Sequence, residues 1–498
     1  MTKKRRFLFN GLVLTLVGFA MRGSALLLGA YIAGAIGAEG IGLQGLIATV
    51  YSLAVTLATS GVSLSVTRLV ASSIGEGGGE SGILRGAFLY ATFFGIFATA
   101  LLLILSEHIG VAILLDGRTV AALRILALSL LPMALSGVIS GYFVAVRRVT
   151  LNAAVNVVGQ VMRIGLTIIL LVRFSDGTTE SAIRALALGA TVTEAISFSV
   201  ALVEFLIDRR LYGTMDNKGY NLPRVAGMAL PLAFSAYVRS FLMTVEHSLI
   251  PRRLIDRGDT RAEALSSYGY LSGMALPIVL FPMTPLTSFS GLLVPEFAES
   301  EGAGDRARME RIATRATSLT LVFATVVAVF IFAFSEELGY VIYGTYEAGR
   351  YVSVLAPVIP LMYLDHVTDS MLKGIGEHVY SMLVNIADSF LSVALVWALI
   401  PVFGILGYAI VIITMELFNF ILSFHRLRTR IRFTVDLVRS LISPLACASL
   451  AVYVASVLFD ICGSGVSATW LVMKIIFALC LLLSFTLLAG MLCKTQNK

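Results

Sequence analysis

Apolar runs of twenty or more residues follow one another along almost the whole chain. A hydrocarbon core about 30 Å thick is crossed by ~20 helical residues. Inside lipid a backbone must satisfy its own hydrogen bonds, which leaves helices or closed barrels, and runs this long read as helices rather than barrel strands. Windows of that length give about fourteen spans, near 7–36, 41–73, 83–106, 119–146, 150–173, 180–207, 223–249, 262–296, 310–334, 350–372, 378–400, 404–424, 437–459 and 468–492. An all-α polytopic membrane protein is therefore expected. Only 13% of the 498 residues are charged and mean hydropathy is +0.91, about half the charged fraction of a soluble domain. The net charge of +7 then reads as loop lysine and arginine rather than as a nucleic-acid footprint.

Orientation follows from the loops. "KKRR" at 3–6, Arg147–Arg148, 208–224, "RARMERIATR" at 306–315 and "HRLRTRIRF" at 425–433 are basic and fall on one side if the spans alternate. The opposite loops, at 175–181, 335–347 and 459–469, are acidic or neutral. The positive-inside rule puts both termini in the cytoplasm. One loop disagrees: "PRRLIDRGDTRAE" at 251–263 is basic yet falls outside. Packing of its arginines against protein or anionic head groups is the preferred explanation, because moving one span would displace every later loop. The apolar stretch after "MTKKRRFLFNG" is too long for a signal peptide and lacks a clear cleavage site, so a retained first helix is expected.

A weak internal repeat sets the expected domain organisation. Arg22 is followed by a span ending "SGVSLSVTRLVASSIGEGGGE", and Arg239 by one ending "SFSGLLVPEFAESEGAGDR". Six spans separate the two units, so both run in the same direction, as in transporters made of two parallel bundles around a central cavity. The expected division is a six-helix lobe at 1–215, a second at 216–430, and two additional helices at 431–498.

Charges inside the spans are the candidate functional residues. Arg22 lies roughly 22 Å along the first apolar run, near mid-membrane, where a charge marks a functional site by default. Arg163 and Arg239 are also deep, whereas Arg68 is nearer a span end and within snorkelling reach of the interface. Converging arginines would make a cationic cavity, and guanidinium forks match phosphate bidentately, so a lipid pyrophosphate is a natural substrate class. The competing reading is that each arginine pairs with a buried carboxylate and only locks helices together.

Glu194, Asp365, Asp369, Asp388 and Glu416 all fall within spans and are candidate partners for these arginines. Asp365 and Asp369 are four apart, on one helix face, and Glu246 is two turns from Arg239. Glu246, Asp365 and Asp369 are candidates for Na⁺ or proton coupling, with structural neutralisation as the equal alternative; Asp388 and Glu416 read as structural. Pro277, Pro282 and Pro285 in the eighth span, and Pro357 and Pro360 in the tenth, free backbone carbonyls and are candidate hinges. The histidines lack metal spacing, Cys447, Cys462, Cys480 and Cys493 form no CxxC, and no GxxxxGK[ST] is present. No cofactor is expected, and drive would come from an ion gradient, the membrane potential or the substrate.

"RGSALLLGAYIAGAIGAEGIGLQGLIATVYSLAVTLATSGVSLSVTRLVAS", "SLIPRRL" at 248–254 and "LKGIGEH" at 372–378 resemble the stage V sporulation protein B group of polysaccharide-exporter-like proteins. The resemblance covers essentially the whole chain. It places the chain in the multidrug/oligosaccharidyl-lipid/polysaccharide exporter superfamily, with the MurJ-type lipid II flippases as relatives. It implies two six-helix lobes in a V-shape, alternating access, and movement of an undecaprenyl-pyrophosphate-linked sugar to the outer leaflet. It also implies that the last two helices line a groove for the lipid tail. The flippases use arginines of the first, second and eighth helices. Arg22 matches the first position and Arg68 the second approximately; the eighth span has no arginine, and Arg239 of the seventh is the expected replacement.

The expected function is a flippase for a lipid-linked glycan, most naturally lipid II or a related cell-wall or spore-cortex precursor, with membrane lipids and cell-wall synthesis proteins as partners and no nucleic acid. A cation-coupled multidrug antiporter of the same superfamily is the nearest alternative; its cationic substrates would need an acidic cavity. A membrane-embedded glycan polymerase or ligase ranks lower, because the outer loops are short.

Overall fold

The computed structural model describes the backbone of residues 3–75, 80–212, 221–463 and 467–496, and side chains for 18–74, 80–148, 156–211, 221–463 and 467–486. Parts of three expected loops (76–79, 213–220 and 464–466), the "KKRR" side chains and Cys493 lie outside the described residues. Within these limits the protein is helical, with no strands. Twelve helical segments are long and apolar enough to cross a membrane, thirteen if the bent pair Arg118–Ala127 and Leu130–Ala145 counts as one span.

The expected fourteen spans are not reached by that count, and the reason is local. The first two expected spans lie in one run, Gly18–Ile74. Its first helix, Lys3–Thr59, continues past 36 with a single break at Gly37, where φ is 69° and ψ is −178°. That backbone region is essentially restricted to glycine, so the chain bends there without ending its helix. A second break follows at Ser60 and Gly61, both with positive φ.

The chain forms two compact units. One is continuous, Glu39–Leu265; the other is discontinuous, Met1–Ala38 with Ser266–Lys498. In the continuous unit, Leu222–Arg257 packs on Val62–Gly75 and Ser81–His108, and Val149–Phe174 pairs with Thr179–Tyr212. In the discontinuous unit, Ile359–Gly374 packs against Thr284–Gly302, Arg306–Ala333 and Ile405–Arg430, and Ser443–Cys462 pairs with Ala468–Gln496.

Ion pairs gather loops at helix ends in agreement with strict alternation. In the continuous unit, Arg118 bonds Glu39 and Asp116, and Arg261 reaches Asp116 at 3.1 Å. The discordant basic loop therefore lies at the same end as 36–41 and 106–119. Two of its arginines pack on protein carboxylates, Arg261 on Asp116 and Arg253 on Asp256. The other end is tied by Arg209 to Glu80 and by Arg148 to Asp208. In the discontinuous unit, Arg426 and Arg430 both hold Glu377, and Arg308 holds Glu296. At its opposite end Lys474, a tenth exposed, reaches Glu337 and Asp460, joining the last helix to the loop after Arg306–Ala333.

Candidate substrate and ion sites

The prolines of the expected eighth span build the first site. The segment from Arg261 to Gly302 is not one regular helix. It widens at Gly269–Ala275 and tightens at Phe281–Met283, beside Pro277, Pro282 and Pro285. At the tight turn the Thr284 N–H donates to Phe281 O, three residues back. Leu280 O, four residues back, instead accepts a hydrogen bond from Arg22 Nη1 at 3.1 Å. Phe19, one turn before Arg22, packs edge-on against Phe281, ring centroids 5.7 Å apart. A proline-broken helix thus supplies the carbonyl that holds a mid-membrane guanidinium.

Arg22 makes no ion pair among the described residues and is exposed. It lines an open cavity of about 550 Å³ in the discontinuous unit, with Gly29, Pro277, Phe281, Tyr343 and His366. No carboxylate is in that lining. Tyr343 lies outside the spans, and burial pushes its phenol up to about 12, so it enters the cavity as a neutral hydroxyl. His366 and Tyr363 sit within electrostatic range of Arg22, and Tyr363 is pinned by donating to Val279 O at 2.9 Å.

The other three arginines belong to the continuous unit. Arg163 Nη2 contacts Glu194 Oε1 at 2.8 Å, so its charge is met by an acid, as the helix-locking reading requires. Tyr51, bonded to Ser129 at 2.6 Å, senses both charges of that pair. Arg68 and Arg239 are exposed and make no ion pair among the described residues. Arg239 shares its helix with Tyr237, which meets Ser60, and Ser240, which meets Thr56. Glu246 is half-buried two turns farther along the same helix.

The acids of the discontinuous unit divide in two. Asp369 is engaged: Lys373 contacts it at 2.6 Å and the Ser381 hydroxyl donates to it. Asp365 instead feels Asp369, Asp388 and Lys373 and takes a hydrogen bond from Ser423, while its Oδ1 is buried without a hydrogen-bond partner. Glu416 in turn feels Asp365 and Asp388. Three helices, Ile359–Gly374, His378–Phe403 and Ile405–Arg430, thus bring three carboxylates together. The sequence alone makes Asp388 and Glu416 structural. Each is one acid on its own helix, and only helix packing reveals that they share a neighbour.

Pro357 lies in the tight turn Ala356–Val358 and Pro360 at the second residue of Ile359–Gly374. All five candidate hinge prolines therefore sit at or beside a break in helical geometry. No group of His, Cys, Asp and Glu able to hold a metal ion is present among the described residues.

The sequence profile of the family described as "Polysaccharide biosynthesis protein" matches residues 7–301, and that of the MatE family matches 258–398. The stage V sporulation protein B of Bacillus subtilis (strain 168) is 25% identical over 421 residues, covering 82% of this chain and 81% of the relative. Among solved structures, the lipid II flippase MurJ in an inward closed conformation superposes with a TM-score of 0.73 at 13% identity, covering 98% of this chain and all of that one. An inward-facing multidrug resistance MATE family transporter of the MOP superfamily gives 0.66 at 15% identity, over 82% and 93%. The chain is a multi-pass membrane protein with the fold these transporters share.

Proposed function

The chain belongs to the polysaccharide biosynthesis protein family, and from that premise we propose that it is a flippase for a lipid-linked glycan. Its substrate is an undecaprenyl-pyrophosphate-linked sugar, lipid II or a related cell-wall precursor, carried from the inner to the outer leaflet of the bacterial cytoplasmic membrane. Both termini face the cytoplasm in this reading. The single observation that supports it best is Arg22: a guanidinium without an ion pair among the described residues, held by Leu280 O, in a cavity whose lining contains no carboxylate. A pyrophosphate brings the missing negative charge and accepts the guanidinium fork.

In the mechanism, the head group enters from the inner leaflet and sits on Arg22; Arg68 and Arg239 are further candidate cationic residues along its path. Arg163 contributes field rather than direct contact, because Glu194 holds it. The carrier alternates between inward- and outward-open states about the breaks at Pro277, Pro282, Pro285, Pro357 and Pro360. The helices of 431–498 guide the lipid tail. Asp365, with Asp388 and Glu416 beside it, takes up a proton or a monovalent cation and couples the cycle to a gradient; Asp369 supports it electrostatically, and Glu246 is a separate candidate for the same coupling. Cell-wall synthesis proteins supply and consume the substrate.

A second reading, a cation-coupled multidrug antiporter, is favoured by that same carboxylate group, since an acidic pocket suits cationic substrates. Transport assays in proteoliposomes separate the two. The flippase reading expects translocation of a labelled undecaprenyl-pyrophosphate-linked precursor and none of a lipophilic cation. The reverse pattern would replace it with the antiporter.

A further inference from the structure

At one end of the discontinuous unit, away from the lining of the Arg22 cavity, lies an open hollow of about 720 Å³. Arg311, Arg315, Arg428 and Arg432 line it, with Glu310 as the one carboxylate and Phe433 at its base. We propose that these four arginines form a binding site for a phosphate-bearing head group at the membrane surface.

The sequence builds the site by three local rules. Asp305 caps the helix Arg306–Ala333 by accepting from Arg308 N at 2.9 Å, so the helix begins early. Arg311 and Arg315, four apart, then share one face. The helix Ile405–Arg430 carries Arg428 in its last turn, where cations complement the helix dipole. Beyond it the chain is extended at Ile431, with φ −130° and ψ 127°. Alternation in an extended stretch buries Ile431 and Phe433 and turns Arg432 outward.

The floor is rigid. Ile431 and Phe433 pack into a core with Met309, Ala313 and Leu427. Phe433 meets Phe424 edge-on at 5.4 Å, and the Arg428 guanidinium lies 5.8 Å from the Phe424 ring centre.

The charge balance points to a ligand. Nearby acids are engaged by other arginines: Glu377 by Arg426 and Arg430, Glu296 by Arg308, and Asp436 by Arg439. None of the four hollow-lining arginines makes an ion pair among the described residues. With Glu310 the lining holds a net charge of three positives. Like charges at i,i+4 repel, and a bound anion relieves that repulsion. Phosphate is the anion whose oxygens match guanidinium forks, and head groups carry it at the level where spans end. The site's chemistry does not depend on what the transporter carries.

The test uses the full-length protein in nanodiscs of phosphatidylcholine with and without phosphatidylglycerol, with retained lipid measured by native mass spectrometry. Inorganic pyrophosphate serves as a soluble competitor. Wild type is expected to retain phosphatidylglycerol over phosphatidylcholine. Arg311→Gln/Arg315→Gln and Arg428→Gln/Arg432→Gln should each lower that retention at least fivefold. Arg311→Lys/Arg315→Lys keeps the basic end needed for insertion but loses the fork, and is expected to insert normally and retain less lipid. Competition by pyrophosphate would assign the site to a diphosphate head group, and failure to compete would assign it to the phospholipid diester. Retention unchanged in both glutamine pairs and in the lysine pair would overturn the proposal. So would a wild type that neither prefers phosphatidylglycerol nor binds pyrophosphate.

Discussion

Arg22 donates a hydrogen bond to the main-chain oxygen of Leu280 at 3.1 Å, and this contact accounts for a charge in the middle of an apolar run. The guanidinium has five N–H donors. One is used by a carbonyl that the tight turn at Phe281–Met283 leaves accessible, and the rest remain for a ligand. Lysine at this position would keep the charge but could not hold Leu280 O and grip a phosphate bidentately. Arg22→Lys is therefore expected to insert and melt like wild type while its affinity for a pyrophosphate head group falls about tenfold, the order of one charge-assisted hydrogen bond. Binding titrations of a soluble pyrophosphate analogue check this.

The Arg163–Glu194 pair is expected to behave as a helix lock. Removing either partner leaves the other charge unmatched, so Arg163→Ala and Glu194→Ala should each lower the melting temperature. The double variant should lose less than the sum. Arg163 is about half exposed, so solvent screening keeps the coupling to about 1 kcal/mol or less. A double-mutant cycle on thermal unfolding in detergent measures it. Zero coupling would free Arg163 for direct substrate contact.

Two carboxylates outside the spans predict acid sensitivity. Burial alone would raise Asp116, but hydrogen bonds from Arg118, with the charges of Arg118 and Arg261, hold it below its ordinary 3.8. Hydrogen bonding from Arg426, aided by Arg430 and opposed by burial, holds Glu377 below its ordinary 4.5. Both values are lower in the folded state. The stabilisation they give is therefore complete above the ordinary values and is lost as pH falls through the folded ones. Melting temperature should drop below about pH 4.5, first through Glu377 and then through Asp116. Asp116→Asn and Glu377→Gln should lower stability at pH 7 and flatten that drop.

Gly37 has a backbone conformation that side-chain-bearing residues rarely adopt. No neighbouring atom crowds the position where a Cβ would stand, so the cost of Gly37→Ala is in the backbone. About 1–3 kcal/mol of strain is expected, relieved by straightening the first helix. Cysteine cross-linking between positions either side of Gly37 and their neighbours, compared in wild type and variant, reports the change.

Much of the architecture was legible because membrane burial writes itself into sequence as long apolar runs and basic loops. Ion pairs such as Arg209–Glu80 and Arg261–Asp116 gather the loops at the ends that alternation expects. The boundary between 36 and 41 was legible, but not that the helix bends at Gly37 without ending, since hydropathy does not distinguish a turn from a bend. Arg22 was visible as an anomaly, but its carbonyl partner is 258 residues away and depends on a turn geometry that "FPMTP" only hints at. Asp388 and Glu416 each looked like lone acids until packing set them around Asp365. Arg311, Arg315, Arg428 and Arg432 were read only as topology signals, because sequence places them in two separate basic stretches.

The most direct test of the central claim is flipping of a fluorescent undecaprenyl-pyrophosphate-linked cell-wall precursor in proteoliposomes, wild type beside Arg22→Ala, at equal reconstitution and equal melting temperature. The account predicts translocation by wild type and at least a tenfold loss in the variant. Equal flipping by Arg22→Ala would contradict the role given to Arg22, and a folded wild type that moves no such precursor would contradict the proposed function itself.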